Sequence, residues 1–181
     1  MKYDPTGHKR RSIRLKGYNY AQKGLYFVTI CTQHRTHFYG EIINNEMMLN
    51  PAGKMISNWY YELENKFNDI KCGAMIIMPN HFHCIIQNVG TNEQSSILDE
   101  QSSTCRGEHI GSPLHVVIQW FKTMTTNEYI RNVKSNDWKR FNGKLWQRNY
   151  WEHIIRNEKS YHKISQYIAS NPQNWKKDTL S

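Results

Sequence analysis

Two histidines one residue apart interrupt the apolar segment "MIIMPNHFHCII", residues 75–86. Because successive side chains of a strand point to opposite faces, His81 and His83 would lie on one face and Phe82 and Cys84 on the other. Two imidazoles side by side on a rigid strand are half of a metal site that suits Zn²⁺, Mn²⁺ or Ni²⁺, and oxygen ligands would shift the preference towards Mn²⁺ or Mg²⁺. Taken alone, the pair is explained more simply as polar residues at a strand edge. A metal site therefore needs a third ligand and a reactive group.

The C-terminal segment carries a tyrosine and an asparagine that fit these two roles. Tyr167 and Asn171 are four residues apart, so a helix would place them on the same face. The asparagine carbonyl oxygen is a candidate hard ligand, and the tyrosine oxygen is a candidate nucleophile. Tyr161 is a rival nucleophile, but it would lie on the opposite side of the helix. Without the histidines, a packed tyrosine and an asparagine that ends the helix would be the simpler interpretation.

A third histidine, His153, lies in the segment "YWEHII". On a strand it would share a face with Trp151 and Ile155. It is a candidate for a group that holds a metal ligand in place or for a DNA contact, and a purely structural role fits its position equally well. The residues alone leave these roles open.

Hydrophobic patterning and turn residues predict the elements that would position these side chains. Strands are predicted where β-branched and aromatic residues cluster, at 25–32, 70–78, 81–87 and 145–155. A small hairpin in "GEIINNEMMLN" is expected to turn at Asn44-Asn45. Helices are predicted to begin at Asn50-Pro51, Ser112-Pro113 and Asn157. The last helix would run from Glu158 to about Ser170 and end before Pro172.

The order of these elements is strand, helix, strand, strand, helix, strand, followed by a further helix. This order predicts a ferredoxin-like α+β fold, with an antiparallel sheet, two helices on one face and a C-terminal helix that carries the tyrosine. At 181 residues and 21.6 kDa, residues 1–181 are expected to form a single domain. Within it we expect a basic N-terminal arm at 1–23, a mobile loop at 89–111 and the tyrosine helix at 157–171.

The net charge is +9, and both ends of the chain are basic. The same ends are rich in aromatic residues, and single-stranded nucleic-acid surfaces use this mixture to hold phosphates and stack bases. A solvated basic surface whose aromatic residues belong to the core is an alternative. The candidate DNA contacts lie in the N-terminal arm and the region 131–148. They are Arg10, Arg11, Arg14, Lys139, Arg140 and Arg148.

Composition argues against a membrane or a secreted protein. No apolar run approaches the roughly 20 residues that a membrane span needs, and the N-terminus lacks the apolar stretch of a signal peptide. We therefore expect a cytoplasmic, nucleoid-associated protein with no membrane partner. The four cysteines are scattered without a CxxC pair and are expected to be reduced.

These motifs together resemble a known family. The segment "MPNHFHCII", followed after a helix by "LWQRNYWEHIIRNEKSYHKISQYIASNP", resembles the single-tyrosine HUH transposases and in particular the branch called REP-associated tyrosine transposases. The resemblance covers most of the chain. It matches His81, Phe82 and His83 to the His-hydrophobic-His motif. Tyr167 matches the tyrosine of the terminal helix, and Asn171 stands where insertion-sequence relatives commonly have glutamine and the REP-associated branch tends to have asparagine.

The resemblance implies a transposase or endonuclease that cleaves and rejoins single-stranded DNA at hairpin-forming sequences, such as REP-like repeats or element ends. A divalent ion, Mg²⁺ or Mn²⁺, held by His81, His83 and Asn171 would polarise the scissile phosphate while Tyr167 attacks it, which leaves a 5′-phosphotyrosine and a free 3′-OH. An isolated phenol has a pKa of about 10, so the tyrosine would need activation by the ion or a neighbouring base. Both monomers and homodimers occur in the family, and either is expected here.

Two other interpretations fit part of the pattern. A non-catalytic ferredoxin-like module that binds single-stranded DNA or RNA would tolerate the loss of His81. A rolling-circle initiator or relaxase would share the histidine and tyrosine chemistry. Such proteins usually place the nucleophile ahead of the histidines or add a helicase region, and this chain shows neither feature.

Overall fold

The computed structural model describes residues 15, 17–90, 111–177 and 180. Residues 1–14 and 16 of the expected basic arm and residues 91–110 of the expected loop at 89–111 therefore lie outside the described residues. No helix in the described part of the chain is both long and apolar enough to span a membrane. Three of the four cysteines are described, and these three, Cys31, Cys72 and Cys84, are free thiols.

The described chain forms strands and helices in the predicted order. The strands are β1 (Gly24–Cys31), β2 (Gly40–Ile43), β3 (Glu46–Leu49), β4 (Ile70–Met78), β5 (His81–Asn88) and β6 (Trp151–Ile155). The α-helices are α1 (Pro51–Lys66), α2 (Leu114–Ser135) and α3 (Glu158–Ser170), and a 3-10 helix (Pro172–Lys177) follows α3. The β2–β3 hairpin turns at Asn44 and Asn45, which have φ values of 51° and 64°. Such left-handed backbone suits a two-residue hairpin turn, as predicted.

Four strands form one antiparallel sheet in the order β4-β5-β1-β6. This is the strand order of a ferredoxin-like sheet, so the predicted fold class is confirmed. Within the described residues β6 has a neighbour on one side only and is an edge strand. The register pairs Thr29 of β1 with His83 of β5 on one side and with Trp151 of β6 on the other.

Asparagine side chains start two of the three helices, as the sequence predicts. Asn50 Oδ1 accepts a hydrogen bond from the Gly53 N–H at 2.9 Å at the start of α1. Asn157 Oδ1 accepts one from the Ser160 N–H at 2.8 Å at the start of α3. Each bond satisfies a backbone donor that has no partner inside its helix.

The prediction that Ser112 caps α2 is wrong. The N-cap position is Pro113, and no side chain caps this end. Ser112 Oγ instead donates to Asp69 Oδ1 at 2.8 Å, and the Ser112 N–H donates to the other oxygen of the same carboxylate. The Asp69 carboxylate accepts both donors of Ser112 and thereby fixes the direction of this hydroxyl, one residue ahead of the N-cap.

The last strand is also shorter than predicted, because Trp146 forms only an isolated bridge with Thr32 and residues 147–150 lie outside any strand. Lys122 Nζ donates to the backbone carbonyls of Gln147, Arg148 and Asn149 at 3.0, 3.4 and 3.3 Å, so these carbonyls are turned towards α2. Burial lowers the pKa of this ammonium to about 8. A charged tertiary contact therefore overrides the local strand preference of the segment.

The end of α3 lies where the sequence places it, although the backbone does not turn away there. Asn171 keeps helical angles, φ −57° and ψ −43°, even though Pro172 follows it. The chain tightens directly into the 3-10 helix. A residue before proline usually avoids this region, and here the tertiary position of Asn171 overrides the preference.

Candidate active site

Strand β5 delivers two histidines to the sheet face that α3 covers. His81 and His83 are 0% and 2% exposed, and their ring centroids are 4.6 Å apart. Phe82 and Cys84, which alternate with them, point into the core on the opposite face. Because successive side chains of a strand point to opposite faces, the core residues of β5 and its two candidate ligands lie on opposite sides of the sheet, as the sequence predicts.

Both nitrogens of His83 have a neighbour. Nδ1 lies 2.7 Å from Thr29 Oγ1, and Nε2 lies 3.4 Å from the Tyr167 hydroxyl. Burial, with a smaller contribution from His81, lowers the pKa of this imidazole to about 3. The ring is therefore neutral near pH 7, which is the form that ligates a metal ion.

The tautomer of His81 is determined by Asn80. His81 Nδ1 lies 2.7 Å from Asn80 Oδ1, and Asn80 Nδ2 donates to the carbonyls of Arg35 and Leu180 at 3.3 and 2.8 Å. With its NH₂ group committed to two carbonyls, the amide must present its oxygen to the ring. Nδ1 of His81 therefore carries the proton, and Nε2 keeps the lone pair that a metal ion requires.

Helix α3 places Tyr167 over the same strand. Its hydroxyl approaches His83 as described above, and its ring meets Phe27 edge-on at a centroid distance of 6.0 Å. The side chain is 42% exposed, so a substrate can reach it from solvent. Ile168, the next residue, is buried against Ile85 and Ile155 and anchors the helix to the sheet.

Asn171 lies between two residues that contact the histidines. Tyr167, one turn earlier, contacts His83, and Trp175, one turn later, stacks on His81 with a centroid distance of 6.0 Å and an interplanar angle of 27°. Asn171 is 2% exposed, and its Oδ1 has no hydrogen-bond partner among the described residues. A buried carbonyl oxygen without a partner costs about 1–3 kcal/mol, and a cation beside it would remove that cost.

These side chains fit a divalent cation. An ion about 2.1 Å from a ring nitrogen is about 3.2 Å from the ring centre, so a single ion can contact both histidines at their observed separation. Two imidazoles with one amide oxygen suit Mn²⁺ better than Mg²⁺, which prefers oxygen ligands throughout. The described residues contain no cluster of three His, Cys, Asp or Glu side chains that could hold a metal ion, so the Asn171 amide oxygen stays a predicted third ligand.

The other predicted site residues in the described part of the chain are not brought to this place. His153 is exposed on the same sheet face, and its cross-strand neighbour is Phe27, not either of the two β5 histidines. No hydrogen bond joins it to a predicted ligand within the described residues, so the structure gives no support to a role in holding one. Lys139, Arg140 and Arg148 are exposed but follow α2, which packs on the opposite face. Arg10, Arg11 and Arg14 lie outside the described residues.

Three residues of the site are missed by sequence reasoning. Asn80 directly precedes the first histidine and reads as a turn residue after Pro79. Thr29 reads as an ordinary strand residue, and Trp175 as one of several aromatic residues in a basic tail. A polar residue beside a ligand is a signal for Asn80, since ligating histidines usually have a hydrogen-bonded partner. Only the register and the course of the 3-10 helix could identify the other two.

Comparisons with known proteins identify two similar sequences in one organism. An uncharacterized protein of Haemophilus influenzae is 37% identical over 99% of this chain and 97% of its own length. A second protein of that organism, described as a "putative REP-associated tyrosine transposase", is 27% identical over 85% of this chain and 73% of its own length. No model of a known protein family matches.

A solved structure shares the fold. It is described as a REP-associated tyrosine transposase bound to a REP hairpin, with a TM-score of 0.53 and 18% identity over 93% of this chain and 74% of that chain. The chain therefore has the fold of a REP-associated tyrosine transposase, and it is similar in sequence to a protein described as one.

Proposed function

We propose that this protein is a divalent-metal-dependent endonuclease and strand transferase that acts on single-stranded DNA, with Tyr167 as its nucleophile. The observation that carries the proposal is the position of the Tyr167 hydroxyl, 3.4 Å from His83 Nε2 and one turn from the unpartnered oxygen of Asn171. A nucleophile next to a set of neutral metal ligands is the arrangement that phosphodiester cleavage requires.

In this proposal each residue of the site has a separate task. His81, His83 and Asn171 would hold the ion, whose chemistry when bound is to neutralise charge on the scissile phosphate. Asn80 and Thr29 would keep the lone pairs of both Nε2 atoms directed at it. Tyr167 would attack phosphorus in line with the leaving group. The bond from its oxygen to phosphorus would form as the bond to the 3′ oxygen breaks; the phenol proton is released to water, and the 3′ oxygen takes a proton from water to leave as a hydroxyl.

The proposed substrate is single-stranded DNA with a hairpin. The solved relative whose fold this chain shares is described as bound to a REP hairpin, and the basic ends of the chain suit a polyanion. Because the candidate nucleophile and the candidate ligands come from one chain, we propose that a monomer can carry out cleavage, with a homodimer as the alternative. A cytoplasmic, nucleoid-associated location remains a prediction.

The test is formation of a covalent adduct. The protein is incubated with a hairpin-bearing single strand and Mn²⁺ or Mg²⁺, and a denaturing gel is searched for a protein–DNA band. We expect the band with the wild-type protein and not with Tyr167→Phe. The matched control is Tyr161→Phe in the same helix, which should form the adduct normally.

The competing function is a binding module without cleavage. It would bind the same DNA with the same affinity in wild-type protein and in Tyr167→Phe, and neither protein would form the adduct with any divalent ion. An adduct that persists in Tyr167→Phe and disappears in Tyr161→Phe would instead assign the nucleophile to the other tyrosine of α3.

A further inference from the structure

Trp151 and His153 form an exposed surface beside the site, which we name the edge platform. Both lie on the edge strand β6, and the register pairs them with Thr29 and Phe27 of β1. Phe27 stacks on His83 with a centroid distance of 5.3 Å and an interplanar angle of 28°. Because cross-strand partners share a face, the edge platform lies on the same sheet face as the histidines and Tyr167.

Helix α3 leaves the edge platform uncovered. The helix is anchored by Ile168 and Ile164 in the apolar cluster with Ile85 and Ile155, which lies at the far end of β6 from Trp151. Trp151 is 63% exposed and stacks on no other ring among the described residues. By contrast Tyr61 of α1, which is 54% exposed, packs its ring against Tyr60 at 5.3 Å.

The edge platform is close enough to the tyrosine to meet the same DNA strand. Trp151, Thr29 and His83 are successive cross-strand neighbours, so two strand spacings separate the first from the last. This amounts to about 10 Å between backbones. A nucleotide next to the phosphate at Tyr167 can therefore reach the indole without leaving the sheet surface.

The charges around the edge platform also suit DNA. Arg156 is exposed and lies just after β6. Glu152, the carboxylate within the strand, pairs with Val28, which is buried in the core on the other sheet face. No acidic side chain of β6 therefore faces the surface that carries the tryptophan.

We propose that the edge platform receives an unpaired base of the single strand, with Trp151 stacked on the base that lies next to the scissile phosphate. The inference rests on the proposed function, since it places the base relative to Tyr167. An indole is the most effective stacking partner for a base and accepts all four bases, because each has a π-face. The single-stranded DNA therefore runs from Tyr167 across β1 to β6 and leaves the protein at the open edge of the sheet.

Equilibrium binding in EDTA, where no cleavage occurs, tests the edge platform. The probes are a fluorescein-labelled dT20 strand, an abasic strand of the same length and a 20-base-pair duplex. Trp151→Ala is expected to weaken dT20 binding by about 5- to 100-fold, the effect of losing one stacked base. Trp151→Phe should keep most of the affinity, and both variants should bind the abasic strand and the duplex as the wild type does.

Tyr61→Ala is the matched control, because it removes an exposed ring from the opposite side of the molecule. Equal dT20 affinities for Trp151→Ala and Tyr61→Ala would overturn the inference, and so would an equal loss on the abasic strand. Thermal unfolding of each variant verifies that it is folded.

If wild-type protein forms no covalent adduct while dT20 binding still depends on Trp151, the proposed cleavage is wrong and the proposed role of the edge platform is retained. If the adduct forms and Trp151→Ala binds dT20 as tightly as the wild type does, only the proposed stacking on Trp151 is wrong.

Discussion

The two faces of the four-stranded sheet differ in what their side chains do. The face covered by α1 and α2 carries most of the buried apolar residues of the described chain. The face covered by α3 has a small apolar cluster of Ile85, Ile155 and Ile168, and beside it a set of buried polar groups. The first face supplies most of the apolar burial, and the second holds groups whose burial costs free energy.

Strand β5 shows this division residue by residue. Phe82, Cys84 and Ile86 enter the large core, whereas His81 and His83 enter the site. Burying two imidazoles and an unpartnered amide oxygen is unfavourable in free energy, and apolar packing on the opposite side of the same strand offsets it. Substitutions on the α1/α2 face should therefore change stability, and substitutions on the α3 face should change chemistry.

The largest expected effect is on the α3 face. His81→Ala should lower the rate of adduct formation by at least about 1,000-fold, because a metal ion that polarises a phosphoryl oxygen contributes several kcal/mol. Quantified denaturing gels over time measure the rate. His37→Ala is the control, since this exposed histidine lies against Trp175 but is not a predicted ligand. A rate within 10-fold of wild type for His81→Ala would remove this histidine from the site.

The next effect is the converse one, on the α1/α2 face. Phe121 of α2 is 1% exposed and stacks on Phe82 at 5.4 Å. Phe121→Ala should lower the free energy of unfolding by about 3–5 kcal/mol, because it leaves a cavity in the core. Urea titration followed by circular dichroism measures the loss. Adduct formation per folded molecule should stay within a few-fold of wild type, and a larger drop would mean that the faces are not separable.

Asn80 tests whether the α3 face depends on hydrogen bonds that orient its ligands. Asn80→Ala should raise the Mn²⁺ concentration needed for half-maximal adduct formation by about 10- to 100-fold, since His81 Nδ1 loses its acceptor. At saturating Mn²⁺ most of the activity should return. Asn58→Ala, at an exposed position of α1, is the control. Activity that is lost equally at every Mn²⁺ concentration would indicate a structural role.

The buried His83 predicts how stability responds to acid. Its pKa is about 3 in the folded protein, because of burial first and then of His81, against about 6.5 for an unfolded histidine. Between these two pH values the unfolded state binds more protons than the folded state. The contribution of His83 to the free energy of unfolding is therefore present above pH 6.5 and is lost as the pH falls towards 3.

Between pH 7 and pH 5 the free energy of unfolding should therefore fall by about 2 kcal/mol more in the wild-type protein than in His83→Gln. The glutamine keeps a polar side chain at this position but does not titrate. Urea unfolding at both pH values measures the difference. Parallel losses in the two proteins would show that this imidazole is not held neutral by burial.

The smallest effects compare the two helix caps. Asn50→Ala and Asn157→Ala should each cost about 1 kcal/mol, because each removes the acceptor of a helix N-terminal N–H. The loss at Asn50 should appear in global unfolding, since α1 belongs to the large core. The loss at Asn157 should appear as faster amide hydrogen exchange confined to α3. Equal global losses would indicate that α3 unfolds only with the rest of the domain.

Much of the fold follows from local patterns in the sequence. The start of α1 and the bounds of α3, β4 and β5 agree with the prediction to within a residue, because caps, prolines and turn residues mark them. The errors occur where a distant charged group competes with local preference. Asp69 takes the Ser112 hydroxyl, and Lys122 takes three carbonyls from a segment of strand-like composition.

The site divides in the same way. The sequence by itself determined that His81 and His83 share a face of a strand and that Tyr167 and Asn171 share a face of a helix, because the periods of strand and helix are properties of local backbone geometry. The tertiary structure alone decided that this helix lies over this strand, with Tyr167 against His83 across 84 residues of chain. It also decided that Asn80 orients His81 and that Trp151 faces solvent beside the tyrosine. These relations depend on strand register and on how α3 packs against the sheet, and both are set by contacts between residues far apart in the sequence.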